Sequence, residues 1–138
     1  MRALIIGGVG GMGQGVARDL IKQKQVEAVI LADLYPDPER LSTKLRENKK
    51  TSLIKMDVND HDLMVKAFKD VNVVINTAGP FYKTAVPVAK AAVEAKVNYI
   101  DICDDYEGTE ILFNSDIDYM AKKAGITVLT GMGSDPGT

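Results

Sequence analysis

The chain lacks tryptophan and has one histidine and one cysteine in 138 residues. A single cysteine, Cys103, excludes an internal disulfide and a zinc site built from cysteines. An excess of positive charge is also missing, since 17 Lys and Arg stand against 19 Asp and Glu, for a net charge of −2. Nucleic-acid-binding domains need a basic surface, so we expect no nucleic-acid partner.

Long hydrophobic runs are missing as well. The apolar runs reach about six residues, far short of the ~20 that a membrane-crossing helix needs. The opening residues, MRALIIGG, do not have the pattern of a secretory signal peptide. We therefore expect a cytoplasmic protein without a membrane segment. The hydrophobic content of 46% is enough for one domain with a core.

What the chain has is a regular alternation of short apolar runs with amphipathic stretches. The apolar runs predict buried parallel strands at 3–8, 27–33, 51–58, 71–79, 97–103 and 126–133. The amphipathic stretches predict helices at 12–24, 37–48, 85–95 and 113–124, and one that Asn59 or Asp60 caps and that runs to residue 69. This order predicts an α/β fold over residues 1–138, a doubly wound parallel sheet of the Rossmann type with about six strands and helices on both faces.

Five of the seven residues at 7–13 are glycine, directly between the first predicted strand and the first predicted helix. The stretch GVGGMG at 8–13 fits the dinucleotide-binding pattern G-x-G-x-x-G. In that pattern Gly8 makes the tight turn, Gly10 lets the backbone approach a pyrophosphate, and Gly13 lets the helix pack closely on the strand. The helix N-terminus offers free N–H groups to the phosphates. We therefore expect Gly8, Gly10, Gly11, Met12 and Gly13 to contact a dinucleotide cofactor.

Asp33 ends the second predicted strand, twenty residues after Gly13. Dinucleotide-binding domains place an acid there, where it accepts hydrogen bonds from the adenosine ribose. A carboxylate repels the 2′-phosphate of NADP, and the next three residues, Leu-Tyr-Pro, carry no positive charge. The pattern favours NAD, with NADP still possible if Arg40 or Lys44 folds back towards the ribose.

The loops after the third and fourth predicted strands border the same crevice, because the carboxyl ends of parallel strands meet at one edge of the sheet. The remaining predicted cofactor contacts are Asp57, Val58, Asn76, Thr77, Ala78, Gly79 and Pro80. Asp57 has an alternative interpretation, as an acid at the start of the following helix. No group of residues predicts a metal site.

Three stretches together resemble the N-terminal NAD(P)-binding domain of the saccharopine dehydrogenase/reductase-like family, which includes lysine 6-dehydrogenase-like and carboxynorspermidine synthase-like enzymes. They are GGVGGMGQGVARDL, VINTAGPFYKTAVPVAKAAVEAKVNYIDICDD and GITVLTGMGSDPG, and they span nearly the whole chain. The middle stretch, with N-x-A-x-P-F and Y-[IV]-D, is more specific than the glycine loop.

The resemblance implies an oxidoreductase that transfers hydride between a nicotinamide and a carbon–nitrogen bond of an amino acid or imine. It also implies a longer enzyme, in which a turn at Gly133, Asp135, Pro136 and Gly137 leads to a second domain for substrate binding and dimerisation. The full-length protein is then expected to be a homodimer, and residues 1–138 alone are expected to be inactive.

Two alternatives stay open. Tyr119 and Lys123 match the Y-x-x-x-K pair of short-chain dehydrogenases, which would make the protein a carbonyl reductase. A domain that binds the dinucleotide without turnover is the other. The catalytic residues are not predicted, because the acid/base candidates near the crevice (Tyr82, Asp101, Cys103 and Asp104) do not form a pair in the sequence.

Overall fold

A six-stranded parallel sheet forms the centre of the computed structural model, which describes residues 1–133. The strands are β1 (Arg2–Ile6), β2 (Ala28–Asp33), β3 (Thr51–Lys55), β4 (Val73–Asn76), β5 (Asn98–Asp101) and β6 (Val128–Leu129). Their spatial order is β3-β2-β1-β4-β5-β6, with every neighbouring pair parallel. The predicted doubly wound topology is therefore confirmed, although each strand is shorter than its apolar run.

Within residues 1–133, six α-helices connect the strands. They are α1 (Gly11–Leu20), α2 (Thr43–Arg46), α3 (His61–Phe68), α4 (Phe81–Ala95), α5 (Tyr106–Phe113) and α6 (Ile117–Ala124), and a 3₁₀ turn covers Pro38–Arg40. Asp60 caps α3 by accepting a hydrogen bond from the N–H of Leu63, as predicted, and Gly125 ends α6 with a φ of 72°. Within residues 1–133 no helix is long and apolar enough to cross a membrane.

The sheet has a hydrophobic core on each face, as the alternation of side chains along a strand requires. On β1, Ile5 packs with α1 and α2, whereas Leu4 and Ile6 pack with the helices from α3 to α6. Helix α4 is the centre of the second layer and contacts α3, α5 and α6. Both faces are covered, which explains why the strands read as continuous apolar runs.

The predicted helix at 37–48 is wrong in part, because the segment forms a 3₁₀ turn and a separate four-residue helix. The side chain of Gln14 interrupts it. Gln14 donates a hydrogen bond to the carbonyl of Arg40 at 2.9 Å and accepts one from the N–H of Ser42 at 3.0 Å. Because these two backbone groups are hydrogen-bonded to a side chain of α1, they do not form the hydrogen bonds of a continuous helix over 37–48.

Helix α5 was not predicted. Asp105 caps it by accepting a hydrogen bond from the N–H of Glu107 at 3.1 Å. Gly108 lies inside the helix because a Cβ there would come within 2.9 Å of the Cβ of Phe81. That glycine weakens the helical signal in the sequence, yet it allows α5 to pack closely on the start of α4.

Candidate functional site

The order of strands reverses between β1 and β4, so a crevice opens between the loops that follow them. The two loops are joined by Thr77, whose N–H and Oγ1 both donate to the carbonyl of Ile6, at 2.9 and 2.7 Å. A Cβ at Gly7 would lie 3.0 Å from the backbone nitrogen of Ala78. Glycine is therefore required where the loops come closest.

The glycines of the first loop have distinct geometric roles. The predicted place of Gly8 in the tight turn is confirmed, since the turn covers residues 7–9 and the N–H of Gly10 closes it on the carbonyl of Gly7 at 3.0 Å, while Gly7 supplies the positive φ of 74°. Gly8 also allows close packing, since a Cβ there would lie 2.8 Å from Leu31. The packing role of Gly13 is confirmed, because its Cβ would overlap the carbonyl oxygen of Gly7.

The N-terminus of α1 opens towards the crevice. Gly10 precedes the helix in extended conformation, and among the described residues no side chain caps it and no acid lies in its first turn. A Cβ at Gly11 would meet nothing within 4 Å, and Met12 is 56% exposed. The first N–H groups of a helix lack partners inside the helix and lie at its positive end. This end can therefore bind an anion.

Asp33 lies beside this helix end. Its Oδ2 accepts a hydrogen bond from the N–H of Val9 at 3.3 Å, and its Oδ1 accepts one from the N–H of Tyr35 at 3.2 Å. The structure thus brings the predicted acid to the glycine loop.

A cation lies next to Asp33 that the sequence analysis missed. Lys55 on β3 is paired in register with Asp33, and its side chain is exposed. The cations predicted to approach Asp33 were those nearer to it along the chain, Arg40 and Lys44. Lys55 would have been identified if the register between the second and third strands had been predicted.

Asp57 and Val58 have local structural partners. Oδ1 of Asp57 accepts hydrogen bonds from the backbone and side-chain nitrogens of Asn59, at 2.9 and 3.0 Å. Val58 is half-buried against the larger core cluster. These contacts agree with the alternative interpretation of Asp57, in which it orders the turn before α3.

The loop after β4 presents its backbone to the crevice. Asn76 is fully buried, and the hydroxyl of Thr77 is bound to the backbone of β1. Gly79 and Pro80 are exposed, and a Cβ at Gly79 would meet nothing within 4 Å. The part of this loop that a ligand can reach is therefore Ala78, Gly79 and Pro80, which carry small side chains.

Two of the four acid/base candidates are withdrawn from solvent. Asp101 has no exposed surface and Cys103 is 2% exposed, with its Sγ 3.2 Å from the carbonyl of Asp105. Tyr82 is 42% exposed, and Asp104 is also at the surface.

Burial and the carboxylate of Asp101 raise the pKa of Tyr99, so its hydroxyl stays protonated and donates to Asp101 at 2.8 Å.

The Tyr119 and Lys123 pair lies on the exposed face of α6. Tyr119 is 69% exposed, and Lys123 is near the helix end that leads to the amino end of β6. The crevice is at the opposite edge, at the carboxyl ends of the strands. A separate groove of about 290 Å³ lies between α5, α6 and β6, and its lining includes Leu112, Ile117, Ala121 and Val128.

Comparisons with known proteins agree with this geometry. Residues 3–129 match the family model described as the saccharopine dehydrogenase NADP-binding domain. Among curated proteins, the 3β-hydroxysteroid dehydrogenase/Δ5→4-isomerases of Monkeypox virus and Vaccinia virus (strain Copenhagen) are 31% identical over 74 residues. That match covers 54% of this chain but 20% of each relative, so the chain spans about a fifth of their length.

Solved structures share the fold. Saccharopine dehydrogenase (L-Glu forming) from Saccharomyces cerevisiae has a TM-score of 0.76 at 24% identity, over 99% of this chain and 28% of that one. The dTDP-glucose 4,6-dehydratase DesIV from Streptomyces venezuelae, solved with NAD, has a TM-score of 0.72 at 17% identity, over 94% of this chain and 54% of that one. At these identities the likeness concerns the fold, whereas the family model concerns the sequence over most of the chain. The chain therefore belongs to the family of saccharopine dehydrogenase NADP-binding domains.

Proposed function

We propose that this domain holds a nicotinamide dinucleotide across the carboxyl ends of β1, β2 and β4. The pyrophosphate lies on the N-terminus of α1 and the adenosine ribose on Asp33. The observation that carries the proposal is the pairing of an uncapped helix end with a carboxylate fixed against the same loop by the N–H of Val9. The open space at Gly11 provides the room that a phosphate needs.

The residues of the crevice fit such a group by their chemistry. The N–H groups at the start of α1 donate to phosphate oxygens, and Asp33 accepts from ribose hydroxyls. Ala78, Gly79 and Pro80 offer small side chains along the path of the cofactor. The nicotinamide supplies or accepts hydride when the cofactor is bound. Four further residues make contacts within the protein, and we propose that they hold the cofactor-contacting loops in position. They are Asn76, Thr77, Asp57 and Val58.

We propose that NAD(H) is preferred over NADP(H), because a carboxylate at Asp33 repels a 2′-phosphate. Lys55, which is paired with Asp33 across β2 and β3, reduces this repulsion. It does not remove the repulsion, because the carboxylate of Asp33 is hydrogen-bonded to the glycine loop and therefore lies nearer to the ribose. Titration calorimetry with NAD, NADP and the Lys55→Ala variant tests this. We expect tighter binding of NAD, and a wider gap between the cofactors in the variant. Equal affinities, or a preference for NADP, would contradict the role of Asp33.

The reaction proposed for the full-length protein is hydride transfer at a carbon–nitrogen bond of an amino acid or imine. Support comes from the family that the chain belongs to. Substrate binding and dimerisation are assigned to a second domain. The residues Asp135, Pro136 and Gly137, expected to lead into it, lie outside the described residues. Assays of the full-length protein with NAD and lysine, saccharopine or related amino acids test the reaction class, and turnover of carbonyl substrates alone would contradict it.

A further inference from the structure

Three buried polar side chains connect the loops at the nicotinamide end of the crevice. Asn76 ends β4, and Tyr99 and Asp101 belong to β5. All three are at most 1% exposed. Asn76 donates to the hydroxyl of Tyr99 at 3.3 Å, and that hydroxyl donates to Asp101 at 2.8 Å. They form one continuous hydrogen-bonded path through an apolar core.

At one end, the path fixes the loop after β4. Oδ1 of Asn76 accepts a hydrogen bond from the N–H of Ala78 at 3.1 Å, and its Nδ2 donates to Thr84 at 3.3 Å. Thr84, on α4, donates in turn to the carbonyl of Ala78 at 2.6 Å. Both backbone groups of Ala78 are therefore held by this cluster.

At the other end, the path fixes the loop after β6. The carboxylate of Asp101 accepts from Oγ1 of Thr130 at 2.8 Å and from the N–H of Gly131 at 3.0 Å, and its backbone carbonyl accepts from the N–H of Met132. Strand β6 has only two residues, so its ladder gives the loop little support. Asp101 provides most of the described hydrogen bonds that hold residues 130–132.

We propose that Asn76, Tyr99 and Asp101 act as positioning residues that couple the loop after β4 to the loop after β6 and thereby set the shape of the nicotinamide half of the site. The proposal rests on the proposed function for the identity of the ligand. The coupling itself is a property of the ligand-free chain. It also gives a physical link between the two motifs of the middle stretch, since Asn76 belongs to N-x-A-x-P-F, and Tyr99 and Asp101 belong to Y-[IV]-D.

The physical reason for coupling is the cost of an unpaired buried polar group. Asp101 is a fully buried carboxylate, and in the described structure its donors are the hydroxyl of Tyr99 on β5, the N–H of Cys103 just after β5, and the hydroxyl and N–H groups of the 130–131 segment. Loss of one donor leaves charge that the remaining donors must stabilise. Displacement of either loop would leave a polar group of this path without its partner, so the position of each loop depends on the position of the other. An apolar core of the same shape would not link the two loops in this way.

The first test measures amide hydrogen exchange in the ligand-free domain. Thr130→Val removes one donor to Asp101 at the β6 end. Coupling predicts faster exchange at Gly131 and also at Ala78, at the far end of the path, each by at least about fivefold. Thr127→Val is the matched control, since Thr127 is exposed and its hydroxyl has no partner among the described residues. It should leave both amides unchanged.

The second test uses Tyr99→Phe, which breaks the path at its centre, and compares two ligands. ADP-ribose contains the adenosine and diphosphate but no nicotinamide, so it probes the α1 and Asp33 half of the site. We expect the affinity for NADH to fall at least about fivefold and the affinity for ADP-ribose to stay within about twofold. Val26→Ala, a core truncation at the amino end of β2, controls for a general loss of stability.

The outcomes separate this proposal from the proposed function. If the wild-type domain binds neither ligand, the proposed function fails, while the exchange experiment still decides whether the loops are coupled. Faster exchange at Gly131 alone, with Ala78 unchanged in Thr130→Val, overturns the coupling. An equal loss of both ligands in Tyr99→Phe, or no loss of either, overturns the assignment of the network to the nicotinamide half.

Discussion

At the scale of single residues, the glycine loop combines several physical requirements. Gly7 supplies a positive φ, and Gly8 and Gly13 supply room for a strand and a helix to pack closely. Gly10 and Gly11 have neither constraint to a comparable degree, since a Cβ at Gly10 would lie 3.2 Å from one carbonyl oxygen and a Cβ at Gly11 would meet nothing. Their lack of side chains is therefore best explained by a ligand.

Gly10→Ala tests that explanation. The new methyl group fits with a small shift of the carbonyl of Gly7, so the domain should remain folded. We expect the affinity for NADH to fall at least about tenfold, because the backbone at this position approaches the pyrophosphate. Gly15→Ala is the matched control, since Gly15 lies further along α1 and a Cβ there would meet only the end of the Arg18 side chain, at 3.9 Å, so its affinity should stay within about twofold. Equal affinities of the two variants would show that Gly10 serves the turn alone.

Asp33→Ala tests the ribose contact. The variant loses charge-assisted hydrogen bonds, so binding of NAD should weaken by about 1–3 kcal/mol in titration calorimetry. Binding of NADP should weaken less or improve, because the repulsion of its 2′-phosphate is also removed. Asp37→Ala is a control, since Asp37 is an exposed acid that orders the next turn by accepting from the N–H of Glu39. An identical loss for both cofactors would argue against a ribose contact.

At the scale of elements, the sequence predicted the six strands and most helices because apolar periodicity reports burial, and burial is extensive on both faces of this sheet. The failures come from contacts between segments that are far apart in the chain. Gln14 divides the 37–48 segment through long-range hydrogen bonds. Helix α5 was missed because it contains Gly108, a weak helix former that is needed there for close packing against α4. Lys55 was missed for the same reason, since its proximity to Asp33 arises from strand pairing. Contacts between distant segments leave no periodic signal.

The contact of α1 with the 3₁₀ turn makes a prediction at this scale. Gln14 donates to the carbonyls of Val9 and Arg40 and accepts from Ser42, so it joins the glycine loop to the segment after β2. Gln14→Ala should lower the free energy of unfolding by about 1–3 kcal/mol in denaturant titration. Gln25→Ala, an exposed glutamine before β2, should change it by less than ~0.5 kcal/mol. Similar stabilities of the two variants would contradict the joining role of Gln14.

At the scale of the whole molecule, the described strands and helices are all used to build a cofactor crevice. Two of its four acid/base candidates, Asp101 and Cys103, are buried and bonded within the protein. Hydride transfer needs a second wall that aligns the reacting carbon and excludes water. Residues 1–133 show no such wall opposite the crevice.

We therefore expect residues 1–138 to bind cofactor without steady-state turnover. The measurement is a hydride-transfer assay with NAD and amino-acid substrates, run on this chain beside the full-length protein. Activity of the chain comparable to that of the full-length protein would contradict the assignment of substrate binding to another domain. It would also restore the hypothesis that Tyr119 and Lys123 form a catalytic pair.

The central claim is that a nicotinamide dinucleotide lies at the crevice between β1 and β4, and amide chemical-shift mapping of the isotope-labelled domain during titration with NAD tests it most directly. We predict saturable shifts that are largest at Gly10–Gly13, Asp33–Tyr35 and Ala78–Gly79, with smaller ones at 130–133. Residues 117–128, around the groove beside α6, should show none. Shifts confined to that groove, or the absence of any saturable shift, would contradict the account.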